Sequence, residues 1–229
     1  MVSHLTGISS MATRQALADA ADLWRRRRGT AVAFEAVGGV SAAERVRQGE
    51  AFDVAVLAAD AIDRLAAAGS LVAGSDVALA LSDVAIAVRQ GAARPAIDSE
   101  RALRDAVLAA PSVGWSTGPS GTALKALFER WGVAEALRER LVQAPPGVPV
   151  GALVARGEAA LGFQQLSELM HLEGIDVIGP MPPGLEIVTT FSGAVCAASA
   201  QPDGAHALLD FLRSPACAEA WRRNGMRPA

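Results

Sequence analysis

Apolar residues recur along the chain with two alternating spacings. Across 12–28, Ala16, Leu17, Ala20, Leu23 and Trp24 fall on one face of a helix, and Gly29 stops the run. An apolar run at 31–37 reads as a strand. The rhythm repeats with a helix at 41–48 closed by Gly49, a strand at 53–57, and a helix at 60–68 closed by Gly69. It resumes further on with a helix at 98–110, a strand at 113–115, helices at 120–131, 134–140 and 150–155, and a strand at 159–163. Strands alternating with helices predict crossover units and mainly parallel sheets.

Two longer apolar segments, 76–88 and 186–198, do not suit a single sheet of short parallel strands. They read as paired strands crossing between two lobes, which would place 1–82 with 188–229 in one lobe and 83–187 in the other. An internal echo points the same way. Residues 47–57 (RQGEAFDVAVL) and 155–165 (ARGEAALGFQQ) each run from a helix end through a glycine into a strand.

Composition narrows the function classes. With 229 residues and 51% hydrophobic content the chain can bury the cores of two modest lobes. A net charge of −3 argues against a nucleic-acid surface, which is normally strongly basic. The basic run at 25–28 ends a helix, where cations meet the negative end of the dipole. No apolar run approaches the roughly 20 residues that cross a bilayer, so no membrane insertion is expected. No secretory signal precedes the first helix, so the sequence as written reads as cytoplasmic, or as periplasmic had a signal been removed. Cys196 and Cys217 are too few for a disulfide framework and read as packed thiols. The three histidines, at 4, 171 and 206, are scattered without metal-ligand spacing, and neither a dinucleotide fingerprint nor a phosphate-loop lysine is present. No metal and no cofactor is expected.

Chemistry concentrates where strands give way to helices. Residues 114–122 (GWSTGPSGT) join a strand to a helix through small and hydroxyl side chains, and free amides at a helix start can hold an anion. The same stretch matches G-x-S-x-G, but Pro119 and the residues after it lengthen the turn beyond a nucleophile elbow, and its base would have to be His171 or His206, the latter at a surface position of a late helix. Ser9 and Ser10 form a second hydroxyl-bearing turn before a helix. Gly38 to Ser41 offers unobstructed amides, Pro149 leads the loop at 143–150 into a helix, and Gln164 and Gln165 stand at a strand end.

These motifs resemble the molybdate-binding branch of the type II periplasmic solute-binding proteins over nearly the whole chain. The resemblance implies a two-lobed α/β fold, with two mainly parallel sheets joined by two crossing strands and hinge closure over a small oxyanion or carboxylate. It implies ligand donors at Ser9, Ser10, Gly39, Val40, Ser116, Thr117, Ser120, Val148 and Gln165, and an ABC-transporter permease as partner. Gln165 falls where the family carries a tyrosine, in a chain with no tyrosine. The wording of the serine-rich segments is closer to a divergent subgroup, similar to aconitate isomerase. An isomerase acting on a small polycarboxylate in the same cleft is therefore the alternative, with its catalytic residues unassigned. A trianion would recruit arginines, for which Arg14 and Arg89 are the candidates.

Overall fold

The structure, a computed structural model, describes residues 4–229; residues 1–3, with the start at Met1, lie outside the described residues. The chain divides into two compact units, Met1–Ser82 with Thr189–Ala229, and Asp83–Val188.

The first unit opens with strand β1 (Leu5–Ser10), a single 3-10 turn at Met11–Thr13, helix α1 (Arg14–Arg28), β2 (Val32–Val37), α2 (Gly39–Arg47), β3 (Val54–Ala58) and α3 (Ala59–Ala67). Strand β4 (Val77–Arg89) begins in this unit and ends in the second. The chain returns through β9 (Val188–Val195), α9 (Pro202–Leu212), α10 (Ala218–Arg223) and β10 (Met226–Pro228). Strands β1, β2 and β3 are parallel, β9 runs antiparallel beside β3, and β10 pairs antiparallel with Ala80 to Ser82 of β4.

Helices cover both faces of this sheet. Leu17, Ala20 and Trp24 of α1 pack with Leu208 and Leu209 of α9 and Trp221 of α10 on one side. Ala42 and Val46 of α2 pack with Ile62 and Leu65 of α3 on the other. Such a sheet is buried twice over, which is why all five residues of β3 are apolar and buried.

The second unit contains α4 (Glu100–Ala109), β5 (Val113–Trp115), α5 (Pro119–Arg130), α6 (Ala134–Leu137), β6 (Leu141–Gln143), α7 (Val150–Ala155), β7 (Leu161–Gln165), α8 (Leu166–Leu169) and β8 (Ile175–Pro180). Strands β6, β5 and β7 are parallel in that spatial order, and the second half of β4 runs antiparallel between β7 and β8. Along β4, Val84, Ile86 and Val88 face α4 and α5, whereas Ala85 and Ala87 face α8. This is the two-residue alternation of a strand covered on both sides.

Both units repeat one topology. In the first, β1 lies between β2 and β3; in the second, β5 lies between β6 and β7. The echo seen in the sequence falls on equivalent places, since Gly49 (φ 76°) closes α2 before β3 and Gly157 (φ 76°) closes α7 before β7.

Several boundaries differ from those the sequence predicts. The strand expected at 159–163 runs from Leu161 to Gln165, so both glutamines lie inside it and are buried. The helix expected at 134–140 is one α-turn followed by a 3-10 turn at Arg138–Arg140. Ser9 and Ser10 end strand β1 and do not form a turn.

Both thiols are buried. Burial, with the Asp53 charge adding to it, pushes the Cys196 thiol up to about 12, and burial pushes Cys217 to about 11. A thiol-disulfide reagent at pH 8 should therefore leave both cysteines unmodified in the folded protein and modify both in denaturant, since only the thiolate reacts. Fast labelling of the native protein would contradict this packing.

Candidate functional site

The order β2-β1-β3 makes the C-terminal end of β1 a topological switch point, because the chain leaves it in one direction and returns on the other side. The order β6-β5-β7 does the same for the end of β5. Open α/β sheets bind ligands in the crevice outside such strand ends. Ser10 occupies the first of these places, and Ser116 follows directly on the second.

In the first unit, alternation along β1 sends neighbouring side chains to opposite faces. Ser9 shares the face of Leu5, toward α1, and is completely buried. Ser10 shares the face of Ile8, toward α2. A methyl group placed on Gly39 would stand 3.7 Å from Ser10 Cβ, so Ser10 lies directly against the start of α2. Its Oγ is buried and meets no hydrogen-bond partner among the described residues, and neither does that of Ser9. The first helical N–H of α2 to reach back is that of Ala42, which donates to Gly38 O at 2.9 Å. The amides of Gly39, Val40 and Ser41 ahead of it have no intrahelical acceptor. The Val40 side chain is 69% exposed, so Val40 can serve only through its backbone.

In the second unit, Pro119 opens α5 without an N–H, and the Gly121 and Thr122 amides both donate to Gly118 O. The Ser120 amide is the open donor of that turn. The Ser116 and Ser120 hydroxyls lie 3.4 Å apart, Ser120 buried and Ser116 half-buried, while Thr117 is exposed at the crest of the loop. Helix α5 approaches this loop closely, because a Cβ at Gly121 would lie 1.7 Å from Ser116 O. Register pairs Gly114 with Gly162, and two residues on it brings Ser116 level with Gln164.

Gln164 has a structural task that the sequence did not reveal. Its Oε1 accepts from the Gly151 amide at 3.1 Å, and its Nε2 donates to Glu168 Oε1 at 2.8 Å. The start of α7, equivalent to the open start of α2, is thus closed by a side chain. The Val148 N–H is also spent, donating to Pro145 O at 3.0 Å. Val148 is therefore poorly suited to the donor role expected of it. Gln165 is 4% exposed at the very end of β7, one strand from Ser116.

The two arginines part company. Arg14 is exposed at the first residue of α1, one turn after Ser10. Arg89 sits at the far end of β4. Val84 pairs with Gln165, and five residues of strand separate Arg89 from that level by about 16 Å. Glu168 and Ser167, not singled out as site residues from the sequence, stand at the site end of β7; the Ser167 Oγ is buried and meets no partner among the described residues. Only the fold brings α8 there, and no motif announces it. Among the described residues no cluster of His, Cys, Asp or Glu could hold a metal ion, and no helix is long and apolar enough to cross a membrane.

Known proteins resemble this chain in sequence and in fold. The chain is 40% identical over 187 residues to an aconitate isomerase from Pseudomonas sp, covering 80% of this chain and 70% of that one. In structure it is similar to the periplasmic molybdate-binding protein of Azotobacter vinelandii, with TM-score 0.81 at 17% identity over 97% of this chain and 98% of the other. A sulfate-binding protein of Mycobacterium tuberculosis gives TM-score 0.78 at 16% identity, covering 99% of this chain and 87% of the other. These likenesses establish the two-lobed periplasmic-binding-protein fold. Residues 5–227 match the family described as bacterial extracellular solute-binding protein, and the chain belongs to that family.

Proposed function

We propose that this protein binds a small anion, a carboxylate or oxyanion, through the hydroxyls and backbone amides at the strand ends of its units. One observation carries the reading. The buried Ser10 hydroxyl, without a partner among the described residues, lies against the open start of α2 at a switch point. Buried polar groups in native proteins are almost always bonded, so such a hydroxyl is explained by a ligand that completes it. Gly39, Val40 and Ser41 supply amides beside it, and Ser116 and Ser120 supply the corresponding hydroxyls in the second unit. Ser9, Thr117 and Gln165 stand as secondary contacts. As a member of a solute-binding family, the protein would deliver this ligand to a transport permease.

The test is a thermal-shift screen against molybdate, sulfate, citrate, cis-aconitate and trans-aconitate, followed by calorimetry on Ser10→Ala and Ser116→Ala. A ligand that binds only the native state raises Tm. Each substitution should weaken the selected anion by about 1–2 kcal/mol, the value of one buried hydrogen bond. If either variant binds as tightly as the parent, that serine does not belong to the site.

A second reading is favoured by the 40% identity to an aconitate isomerase: the bound anion is a tricarboxylate whose double bond is shifted. That reaction removes a proton from one carbon and returns it at another, and it needs a base. Glu168, oriented by Gln164 Nε2, is the carboxylate at the end of β7. Interconversion of cis- and trans-aconitate by the purified protein would establish this reading, and binding without turnover would leave the transport reading alone.

A further inference from the structure

Beside the Ser116 loop, the second unit has a groove of about 380 Å³ walled by Trp115, Thr117, Thr122, Lys125, Ala126 and Glu129. Thr122, Lys125 and Glu129 share one face of α5, while Trp115 ends β5 and Thr117 belongs to the loop between. Lys125 is the only lysine among 21 basic residues. Its Nζ stands 5.0 Å from the centre of the Trp115 ring. The indole face steadies the ammonium, yet a π-face cannot satisfy its three donors. No carboxylate of the described residues lies within ion-pairing distance of it, whereas Arg130 on the same helix faces Glu100 at 3.7 Å.

We infer that the Lys125 groove is a second anion subsite, continuous with the Ser116–Ser120 loop, and that the ligand is a di- or tricarboxylate. One carboxylate would be held by the neutral donors of the loop and another by the Lys125 ammonium. This rests on the reading of the loop as an anion site. Thr117 at the crest of the loop and Lys125 wall the same groove, so a ligand at the loop borders the ammonium, and the flexible four-carbon stem adapts to the carboxyl spacing of a short polycarboxylate. Glu129 closes the far end of the groove with negative charge, which favours placing the ligand's charge toward Lys125 and the helix start. Compact tetrahedral oxyanions would fill the loop alone and leave the lysine untouched.

The experiment is calorimetry with trans-aconitate and citrate on the parent protein, Lys125→Gln, Lys125→Arg, Arg130→Gln and Ser116→Ala. Because Lys125 is exposed, its variants should keep the parent's Tm. Lys125→Gln should weaken both tricarboxylates about tenfold or more, as expected of one charge-assisted hydrogen bond. Arg130→Gln should change them by less than about twofold, and Lys125→Arg should restore part of the loss. The proposal is overturned if the parent binds neither tricarboxylate, if Lys125→Gln binds them as the parent does, or if Lys125→Gln and Arg130→Gln lose affinity equally, which would show only a long-range field. Ser116→Ala judges the underlying reading separately. Unchanged affinity there removes the loop from the site, while the lysine and arginine variants still decide whether the groove holds a carboxylate.

Discussion

Gly121→Ala should abolish measurable anion binding and destabilise the fold by at least about 3 kcal/mol, the upper end of what overpacking ordinarily costs. The added Cβ would lie 1.7 Å from Ser116 O and 2.9 Å from the Trp115 ring. The first obstacle is backbone and cannot rotate away, so either α5 moves out or the Ser116 loop moves. Both outcomes separate the Ser116 hydroxyl, the Ser120 amide and the face of α5 that carries Lys125. Chemical denaturation and ligand calorimetry on the same preparation check this together. A variant with parental stability and affinity would show that α5 does not pack tightly against the Ser116 loop.

Phe128→Ala should cost about 3–5 kcal/mol, the range for truncating a buried aromatic. Phe128 is 1% exposed and packs edge-on to Phe163 of β7 at 6.2 Å and against Trp131 at 6.0 Å. It fastens α5 to the strand that ends in Gln164 and Gln165. Near-native stability in urea would show that the space is refilled by its neighbours. Affinity for the anion should fall as well, since the hydroxyls on α5 and the end of β7 would no longer be held in fixed relation.

Much of the fold was legible in the chain because its segments follow local rules. Leu17, Ala20 and Trp24 recur at helical spacing and are buried on one face of α1. Gly29, Gly49 and Gly157 take positive φ where an L side chain is strained, and each marks a helix end in the sequence. The uninterrupted apolar run of β3 could be read as a doubly covered strand for the same reason. Among the elements that escaped, β8 and α8 are short and their residues carry no period of their own. Strand β8 is half-buried along most of its length and exists because it pairs with β4, and α8 is a single turn set by the end of β7.

The donor set divides along the same line. Sequence alone determined that the glycines at 38–39 and the segment 114–122 stand where strands end and helices begin, and that Ser10 precedes a helix, because caps, glycines and hydroxyl residues announce such junctions chemically. It could not determine which of these groups remain available. That Ser9 and Ser10 face opposite sides of the sheet follows from strand pleating. That Gln164 closes α7, that Val148 spends its amide on Pro145, and that Arg89 lies about 16 Å along its strand from the level of Gln165 depend on pairing and packing between segments far apart in the chain. Tertiary structure decided these points because the availability of a donor depends on what else its neighbours bond to, and those neighbours are chosen by the fold.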